Sequence, residues 1–355
     1  MLTGTRILLA AIVLTLLPGC GTLYLVQAAR GQLGVMTERR SINKVVADPR
    51  TPESLRATLR EVSAARDFAS KELGLPDNGS YRTYADLGRR YVVWNVVAAP
   101  EFSVRPQQWC FPVAGCVAYR GYFKEQSAQK FAAGLKSQGL DVVVGGVPAY
   151  STLGRFADPV LNTMLGYGEN ELAAIIFHEL SHQLIYVGGD SAFNEAFAVT
   201  VEEEGLKRWL ASRGRETELA IHKRREAQQI EFVQLFRRRR DELIKLYATR
   251  LAPDAMRERK QEVFKGLAED ITQIEKRQGS RTIYSEWARD GLNNAHLASV
   301  ATYFDCVPGF ERVLKENDYD LPRFYAAVRK LAGLPIKDRR AKVCGKQAAA
   351  IVEDE

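Results

Sequence analysis

Histidine and cysteine are rare in this sequence, with four histidines and five cysteines among 355 residues. The cysteine spacings do not match those of a zinc site built from thiolates, which argues against that class of site. Internal repeats are absent. Hydrophobic residues make up 46% of the chain and charged residues 26%, which is the composition of a globular protein rather than of a disordered chain.

A long uncharged run occurs at the N-terminus. Arg6 precedes the apolar residues 7–17, and the letters LPGC follow. A small residue before a cysteine at this place resembles a bacterial lipobox, so residues 1–20 are predicted to be a lipoprotein signal peptide with Cys20 as the lipid-bearing first residue of the mature protein. An uncleaved anchor over residues 7–26 is the alternative. Both interpretations place the chain at a membrane, on the periplasmic side of the bacterial cell envelope.

The four remaining cysteines form an even set, which fits disulfides in an exported protein. Cys110 and Cys116 flank a short loop and are the predicted pair, because they are close in sequence. Cys306 with Cys344 then follows by default, although four cysteines allow three pairings.

The chain divides by its patterns into a tether or entry segment (21–50) and one large domain (51–355). The first part of that domain, 51–156, is mixed α/β. Its predicted helices and strands are helix 51–74, strand 91–100, strand 116–123, helix 124–140 and strand 141–151.

The second part of the domain, 157–355, has helical periodicity almost throughout. Its predicted helices are 157–165, 170–187, 192–212, 216–251, 254–277, 284–305 and 320–332. The predicted fold class is therefore α+β and predominantly α-helical, with a small β-sheet subdomain followed by a helical core. The pair of long helices in 216–277 is predicted to form an antiparallel hairpin.

The chemistry is concentrated in the stretch IIFHELSHQLIYV, residues 175–187. His178 and His182 are four residues apart, so they lie on one face of a helix and can hold one Zn²⁺. Glu179 follows the first histidine, where its carboxylate can take a proton from a water on that ion. Four histidines would produce this arrangement by chance in about 0.2% of such sequences.

A catalytic zinc needs a third protein ligand, and Glu195 in SAFNEAFA is the predicted one. The double glycine before it lets the chain turn, so that a second helix runs back past the first. His222 and His296 are the alternatives. Glu202 lies seven residues after Glu195 on the same helix face, and it is predicted to orient a ligand histidine by accepting its second N–H.

These residues carry a resemblance to known proteins. HELSHQ followed by FNEAFA resembles the glutamate-type zincin metallopeptidases, and longer runs resemble the bacterial family named putative zinc aminopeptidases. Those runs are AYRGYF (118–123), AYSTLGRFADPVLNTML (149–165), FHELSHQ, FNEAFAVTVEEEG and LNNAHLASVATYFDCVP (292–308). The resemblance implies a zinc peptidase with His178, His182 and Glu195 as ligands and Glu179 as the base. The spacing from His182 to Glu195 is shorter than in the wider clan, which indicates a tight turn at residues 187–190.

A peptidase also needs a donor for the oxyanion of the reacting carbonyl, and Tyr303 is the predicted one. His296 and Tyr150 are alternatives. Substrate main chain is often held by an edge strand, and glycines lie next to aromatic residues in both CVAYRGYF and VGGVPAYS. Tyr122 and Tyr150 are therefore predicted to contact a peptide substrate.

The formal charge of +7 is uneven, since residues 205–281 carry 20 Lys and Arg against 12 Asp and Glu. The basic hairpin is predicted to be a solvated surface, with contact to anionic lipid headgroups as the alternative. Nucleic acid is not expected outside the cytoplasm. The predicted function is a membrane-tethered zinc peptidase, specifically an aminopeptidase. An endopeptidase and a non-catalytic envelope protein with zinc as a structural staple are the other two interpretations.

Overall fold

The computed structural model describes residues 19–111, 115–304 and 306–344, without the side chains of residues 19–23, 216 and 301–304. The helices before the histidine motif are α1 (Gly19–Thr37), α2 (Ile42–Ala47), α3 (Glu53–Lys71) and α4 (Glu125–Lys136). The helices from the motif onward are α5 (Glu169–Leu184), α6 (Ser191–Ser212), α7 (Glu216–Tyr247), α8 (Pro253–Gln278), α9 (Ile283–Asp290), α10 (Asn294–Phe304), α11 (Val307–Glu316), α12 (Leu321–Ala332) and α13 (Ile336–Val343).

The strands are short and form three small sheets. They are β1 (Arg40–Ser41), β2 (Thr83–Ala85), β3 (Val93–Ala99), β4 (Trp109–Phe111), β5 (Gly115–Val117), β6 (Arg120–Tyr122), β7 (Asp141–Val147) and β8 (Val160–Leu161). The largest sheet has the order β6-β3-β7 and is antiparallel, so β6 and β7 are its edges. A second sheet has the order β1-β2-β8, with β2 and β8 parallel. Strands β4 and β5 form a separate pair.

The main core is built from the faces of α3, α5, α6, α11 and α12. Aromatic side chains from these helices meet directly, as where the Phe193 ring lies 4.9 Å from the Phe310 ring and the Phe197 ring 5.9 Å from the Phe324 ring. Burying such side chains is the main stabilising contribution to the fold. Because α5 contributes to this main core, the motif helix is fixed by its packing. Helix α4 lies elsewhere and packs on the largest sheet through Ala128, Ala132 and Leu135.

The helical hairpin of α7 and α8 is confirmed. The two helices pack through buried residues of both, listed here with their exposed fractions: Phe232 1%, Phe236 1%, Leu267 0% and Ile271 0%. Pro253 opens α8 at its first turn, and Gly279 ends it in the left-handed conformation with a φ of 67°, as helix starts and stops favour.

Three predicted elements differ in the structure. The helix expected at 157–165 is wrong, because Val160 and Leu161 pair with β2 as strand β8 and a 3₁₀ helix (Asn162–Tyr167) follows. Pro159 disfavours helix in the residue before it. The strand expected at 116–123 is two strands in different sheets. The helix expected at 284–305 is two helices, separated at Gly291, whose φ is 99°. Helices α1, α2, α11 and α13 lie outside the predicted elements, and α1 and α2 occupy most of the segment 21–50 that was predicted as a tether or entry segment.

Both predicted disulfides are present, Cys110–Cys116 between β4 and β5 and Cys306–Cys344 near the C-terminal end of the described chain. No helix among the described residues combines the length and apolar composition that crossing a bilayer requires. Most of the predicted signal peptide, residues 1–18, and the side chain of Cys20 lie outside the described residues. The fold class is as predicted: α+β and predominantly helical.

Candidate metal centre

The site is formed where α5 ends and the chain turns back into α6. A turn at Val187–Asp190 is closed by a hydrogen bond from the Asp190 N–H to the Val187 carbonyl at 3.2 Å. The side chain of Asn194 holds the same turn from the other side, donating to the Val187 carbonyl and accepting from its N–H, each at 2.8 Å. The tight turn expected from the spacing is therefore present, and it places Glu195 in the first turns of α6.

Asp190 caps α6 and connects it to the C-terminal helix. Its Oδ1 accepts from the Phe193 N–H at 3.3 Å. The carboxylate is fully buried and pairs with Arg339 at 2.8 Å and with Arg340 at 3.0 Å. A buried carboxylate needs such compensation. These contacts fix the start of the helix that carries Glu195.

Three side chains converge at the junction of α5 and α6. The Nε2 atoms of His178 and His182 are 3.2 Å apart. Glu195 Oε2 lies 3.4 Å from His178 Nε2, and its Oε1 lies 3.8 Å from His182 Nε2. Ligands bound tetrahedrally at about 2.0–2.1 Å would be about 3.3 Å from one another. The spacing and the donor types of these residues therefore fit a metal ion such as zinc.

Glu202 lies behind the first histidine. Its Oε2 is 2.9 Å from His178 Nδ1, so the imidazole donates its Nδ1–H to the carboxylate. In the neutral ring this hydrogen bond selects the tautomer whose Nε2 lone pair points toward Glu195 and His182. The contact is the one that the seven-residue spacing between Glu195 and Glu202 predicted.

Burial and nearby charges set the ionisation of the cluster. Burial lowers the pKa of His182 to about 4, so this imidazole is neutral. Burial would lower the pKa of His178 as well, but the carboxylates of Glu195 and Glu202 outweigh it and raise that pKa well above its ordinary value. Burial raises the pKa of Glu195, and the two histidines outweigh this and lower it. A neutral imidazole and an ionised carboxylate are the forms that bind a cation, so His182 and Glu195 are in those forms, and His178 would release a proton on binding an ion.

The surroundings of Glu179 shift its pKa toward neutral pH. Burial raises its pKa to about 7; the charge of His178 opposes this shift, and the charges of Glu195 and Asp158 add to it. A carboxylate with a pKa near neutral pH can both accept and return a proton.

A cavity of about 460 Å³ contains the cluster. His178, Glu179, His182 and Glu195 line one wall, and the other walls come from the largest sheet, from α1 and from the segment after β7. Among the predicted substrate residues, Tyr150 lines this cavity. Tyr122 does not, since its side chain is 7% exposed and packs in the core between the sheet and α4.

Two further tyrosines in the cavity wall were missed by the sequence reasoning. Tyr119 and Tyr186 line the same cavity. Burial raises the pKa of both, and the charge of Glu195 adds to each shift. Their hydroxyls are therefore protonated donors next to the cluster. Tyr186 stands four residues after His182 on the quoted stretch, which is a signal that could have identified it.

The other candidate residues lie elsewhere. His296 is 5% exposed, accepts from the Asn293 N–H at 3.2 Å and packs against Trp287 at 5.0 Å between ring centroids. His222 lines a separate depression on the far side of α6. Tyr303 lies on α10, and its side chain is outside the described residues. The structure therefore brings neither alternative histidine to the cluster.

That depression contains a second group of carboxylates, which the sequence reasoning did not single out. Glu203, Glu226 and Glu311 each have an oxygen within 4.8 Å of the others. Burial and the charges of Glu226, Glu202 and Glu311 raise the pKa of Glu203 to about 9.

The fold and the site together define a predominantly helical α+β protein with a His-His-Glu group suited to hold a metal ion beside a protonatable glutamate. Residues 23–343 match the family described as putative aminopeptidase, and the chain belongs to this family. Membership supports a peptidase-like, hydrolytic function. No curated protein and no solved structure gives a significant match.

Proposed function

We propose that the protein is a zinc-dependent peptidase. The observation that carries this proposal is the convergence of His178, His182 and Glu195 at distances of 3.2–3.8 Å in the cavity that also contains Glu179. Zinc held by these three side chains would act as a Lewis acid on a water molecule and on the carbonyl to be cleaved.

The side chains of the cavity supply the rest of the chemistry. Glu179 takes a proton from the attacking water and passes it to the leaving amine, for which its pKa of about 7 suits it. Glu202 holds the His178 ring in one orientation through the 2.9 Å hydrogen bond. Tyr119 and Tyr186 line the same cavity, and we assign their hydroxyls as the hydrogen-bond donors to the oxyanion.

The family description favours removal of amino-terminal residues, and aminopeptidase activity is the form that we propose first. One observation favours an endopeptidase as the second candidate. Among the described residues that line the cavity, the carboxylates are Glu179 and Glu195, and both have other roles in this mechanism. A free amino terminus would need a further anionic partner.

We further propose that the chain is tethered at the periplasmic face of a membrane through Cys20, with the basic residues of α7 and α8 directed at solvent or at an anionic surface. The predicted signal peptide over residues 1–20, which ends in LPGC, supports this proposal. Incorporation of a labelled fatty acid into the wild-type chain and its loss in Cys20→Ser would test it, and labelling that persists in the variant would contradict it.

The peptidase proposal is tested with the full chain, a hexapeptide library and zinc analysis by mass spectrometry. We expect hydrolysis by the wild type and a fall of about 10³-fold or more in Glu179→Gln with the zinc content unchanged, because the base is lost and the ligands remain. Glu169→Gln, in the first turn of the same helix, is the matched control and should keep full activity. Full activity in Glu179→Gln would contradict the assignment, and the cleavage products separate the two candidate activities.

A further inference from the structure

The N-terminal helix α1 forms part of the wall of the catalytic cavity. Tyr24, Leu25 and Ala28 line it together with the histidine cluster. The Tyr24 ring stacks on Phe111 at 5.2 Å, and the guanidinium of Arg120 lies 4.2 Å from the centre of the same ring. A helix that precedes the rest of the fold in sequence therefore covers the site at which substrate would bind.

Gln27 on this helix makes an unusual contact with strand β6. Its Nε2 donates to the Gly121 carbonyl at 3.3 Å, and its Oε1 accepts from the Phe123 N–H at 3.4 Å. One side-chain amide thus satisfies an acceptor and a donor on the same backbone segment. The Gly121 backbone also hydrogen-bonds Tyr24, a contact that opposes the rise in the Tyr24 pKa caused by burial.

Strand β6 is an edge of the largest sheet, with β3 on its other side. In an antiparallel ladder, alternate residues direct their backbone groups to the neighbouring strand and the residues between them direct theirs outward. Gly121 and Phe123 are two apart, and both direct backbone groups outward to α1. An extended peptide added to this edge would use the same carbonyl and the same N–H. Gln27 and a bound peptide cannot occupy them together.

Few contacts hold the part of α1 whose side chains are described, Tyr24–Thr37. Among Tyr24–Thr37, Val35 is the residue whose side chain is buried, with 1% exposed. Leu25, Val26 and Leu33 are 48%, 44% and 63% exposed. Gln32 adds a hydrogen bond with the Tyr150 hydroxyl. A helix that buries little apolar surface and is held mainly by side-chain hydrogen bonds separates from the fold with a small free-energy change.

We propose that helix α1 is an internal competitor for the main chain of the peptide substrate, with the Gln27 amide standing in for a substrate peptide group on the outer edge of β6. The inference rests on the proposed peptidase function and adds its regulation. Only molecules in which α1 has left β6 bind substrate. The apparent affinity is therefore the affinity of those molecules multiplied by the fraction of all molecules that they represent.

The first experiment removes the two hydrogen bonds of the Gln27 side chain to β6. Gln27→Ala loses both hydrogen bonds to β6, and we expect KM for the hexapeptide library to fall about three- to tenfold with kcat little changed. Gln138→Ala is the matched control, because the Gln138 side chain donates to the Gly134 carbonyl of the preceding helix α4 rather than to β6. An increase in KM would show that α1 is a fixed part of the binding wall, and it would overturn the proposal.

Two glycines of α1 give an independent and closely matched pair. A Cβ added at Gly31 would lie 2.1 Å from the Phe123 ring, whereas one added at Gly34 meets nothing within 4 Å. Gly31→Ala and Gly34→Ala bring the same change in helix propensity. We expect Gly31→Ala to displace α1 and to lower KM as Gln27→Ala does, while Gly34→Ala leaves KM unchanged. Equal KM values in the two glycine variants would count against the proposal.

Hydrogen exchange separates the failure of this inference from the failure of the proposed function. In Glu179→Gln, addition of the hexapeptide library should slow exchange of the Phe123 amide and speed exchange of the α1 amides. If the wild type hydrolyses peptides but these rates do not change, the competition is wrong and the peptidase stands. If the wild type and the variants all fail to hydrolyse peptides, the proposed peptidase function is wrong. The same two exchange rates still decide whether a bound peptide displaces α1.

Discussion

Helix α6 contributes to two clusters of three titratable side chains, and in each cluster the potential ligand atoms lie within 4.8 Å of one another. His178, His182 and Glu195 form the first. Glu203, Glu226 and Glu311 form the second. By distance alone both could hold a cation, so the comparison shows what else a metal site requires.

The first cluster combines donors whose ionisation suits a cation. Burial keeps His182 neutral, with a pKa of about 4, while the histidines hold the pKa of Glu195 below its ordinary value. Glu202 accepts from His178 at 2.9 Å and orients it. His182 and Glu195 are thus in the forms that bind a cation, and His178, whose pKa the two carboxylates raise, is fixed by a partner and releases a proton when an ion binds.

The second cluster contains carboxylates alone. Burial and mutual repulsion raise the pKa of Glu203 to about 9, so at neutral pH this side chain is protonated. Lys207, Lys223 and Arg312 line the same depression and supply positive charge there. Close carboxylates without a neutral donor thus favour binding of a proton. The types of ligand atom, rather than the distances between them, therefore favour the first cluster as the metal site.

The largest expected effect is on metal content. His182→Ala removes a neutral ligand from the first cluster, and we expect zinc per chain to fall from close to one to close to zero, with hydrolysis reduced about 10³-fold or more. Glu226→Ala makes the corresponding change in the second cluster and should leave both quantities unchanged. Zinc content by mass spectrometry and hydrolysis of the hexapeptide library measure the two effects.

A loss of zinc in Glu226→Ala would break the comparison, because it would show that the carboxylate cluster also holds the ion. Retention of zinc in His182→Ala would contradict the ligand assignment. Neither substitution removes the Asp190 contacts with Arg339 and Arg340, so the start of α6 should remain in place.

A smaller effect is expected from the residue that orients a ligand. Glu202→Ala leaves His178 without its acceptor, and we expect zinc affinity to fall about 10- to 100-fold, as for the loss of such partners in other metal sites. Glu202→Gln keeps an acceptor oxygen and should restore part of the affinity. Competition with a chelator measures the affinity.

Glu203→Ala, one residue along, is the control for Glu202→Ala. Its side chain belongs to the second cluster, so its zinc affinity should equal that of the wild type. Equal affinities in Glu202→Ala and Glu203→Ala would remove the reason for assigning Glu202 a role at the metal.

The two clusters also differ in how far the sequence predicted them. His178 and His182 are four apart on one helix, and Glu195 follows after one turn of the chain, so local spacing was sufficient. Glu226 and Glu311 come from α7 and α11. Their approach to Glu203 depends on how distant helices pack, which periodicity does not encode.

The same limit explains part of the errors in the fold. The hairpin of α7 and α8 follows from local spacing and was predicted. Strand β8 exists because Val160 pairs with Tyr84, 76 residues earlier in the chain, and no local pattern announces that pairing. The contact of Gln27 with Gly121, 94 residues apart, was missed for the same reason. Non-local pairings account for these two errors, whereas the helix expected at 284–305 is divided by a local feature, Gly291 with its positive φ.

The smallest expected effect is a pH dependence of stability that belongs to the second cluster. The pKa of Glu203 is raised from an ordinary value of 4.5 to about 9, first by burial and then by the charges of Glu226, Glu202 and Glu311. The folded protein therefore binds more protons than the unfolded chain between these values. The free energy of unfolding falls as the pH rises through that window.

Glu203→Gln removes this titration while keeping the shape of the side chain. We expect the thermal midpoint of the variant to exceed that of the wild type by several degrees at pH 8 and to match it at about pH 4, below both pKa values. Glu262→Gln, on an exposed face of α8 where Glu262 pairs with Arg259, is the matched control and should show no such difference. A wild type that is as stable as Glu203→Gln at pH 8 would mean that the carboxylate is ionised and compensated there. The second cluster would then resemble the first more closely than its composition indicates.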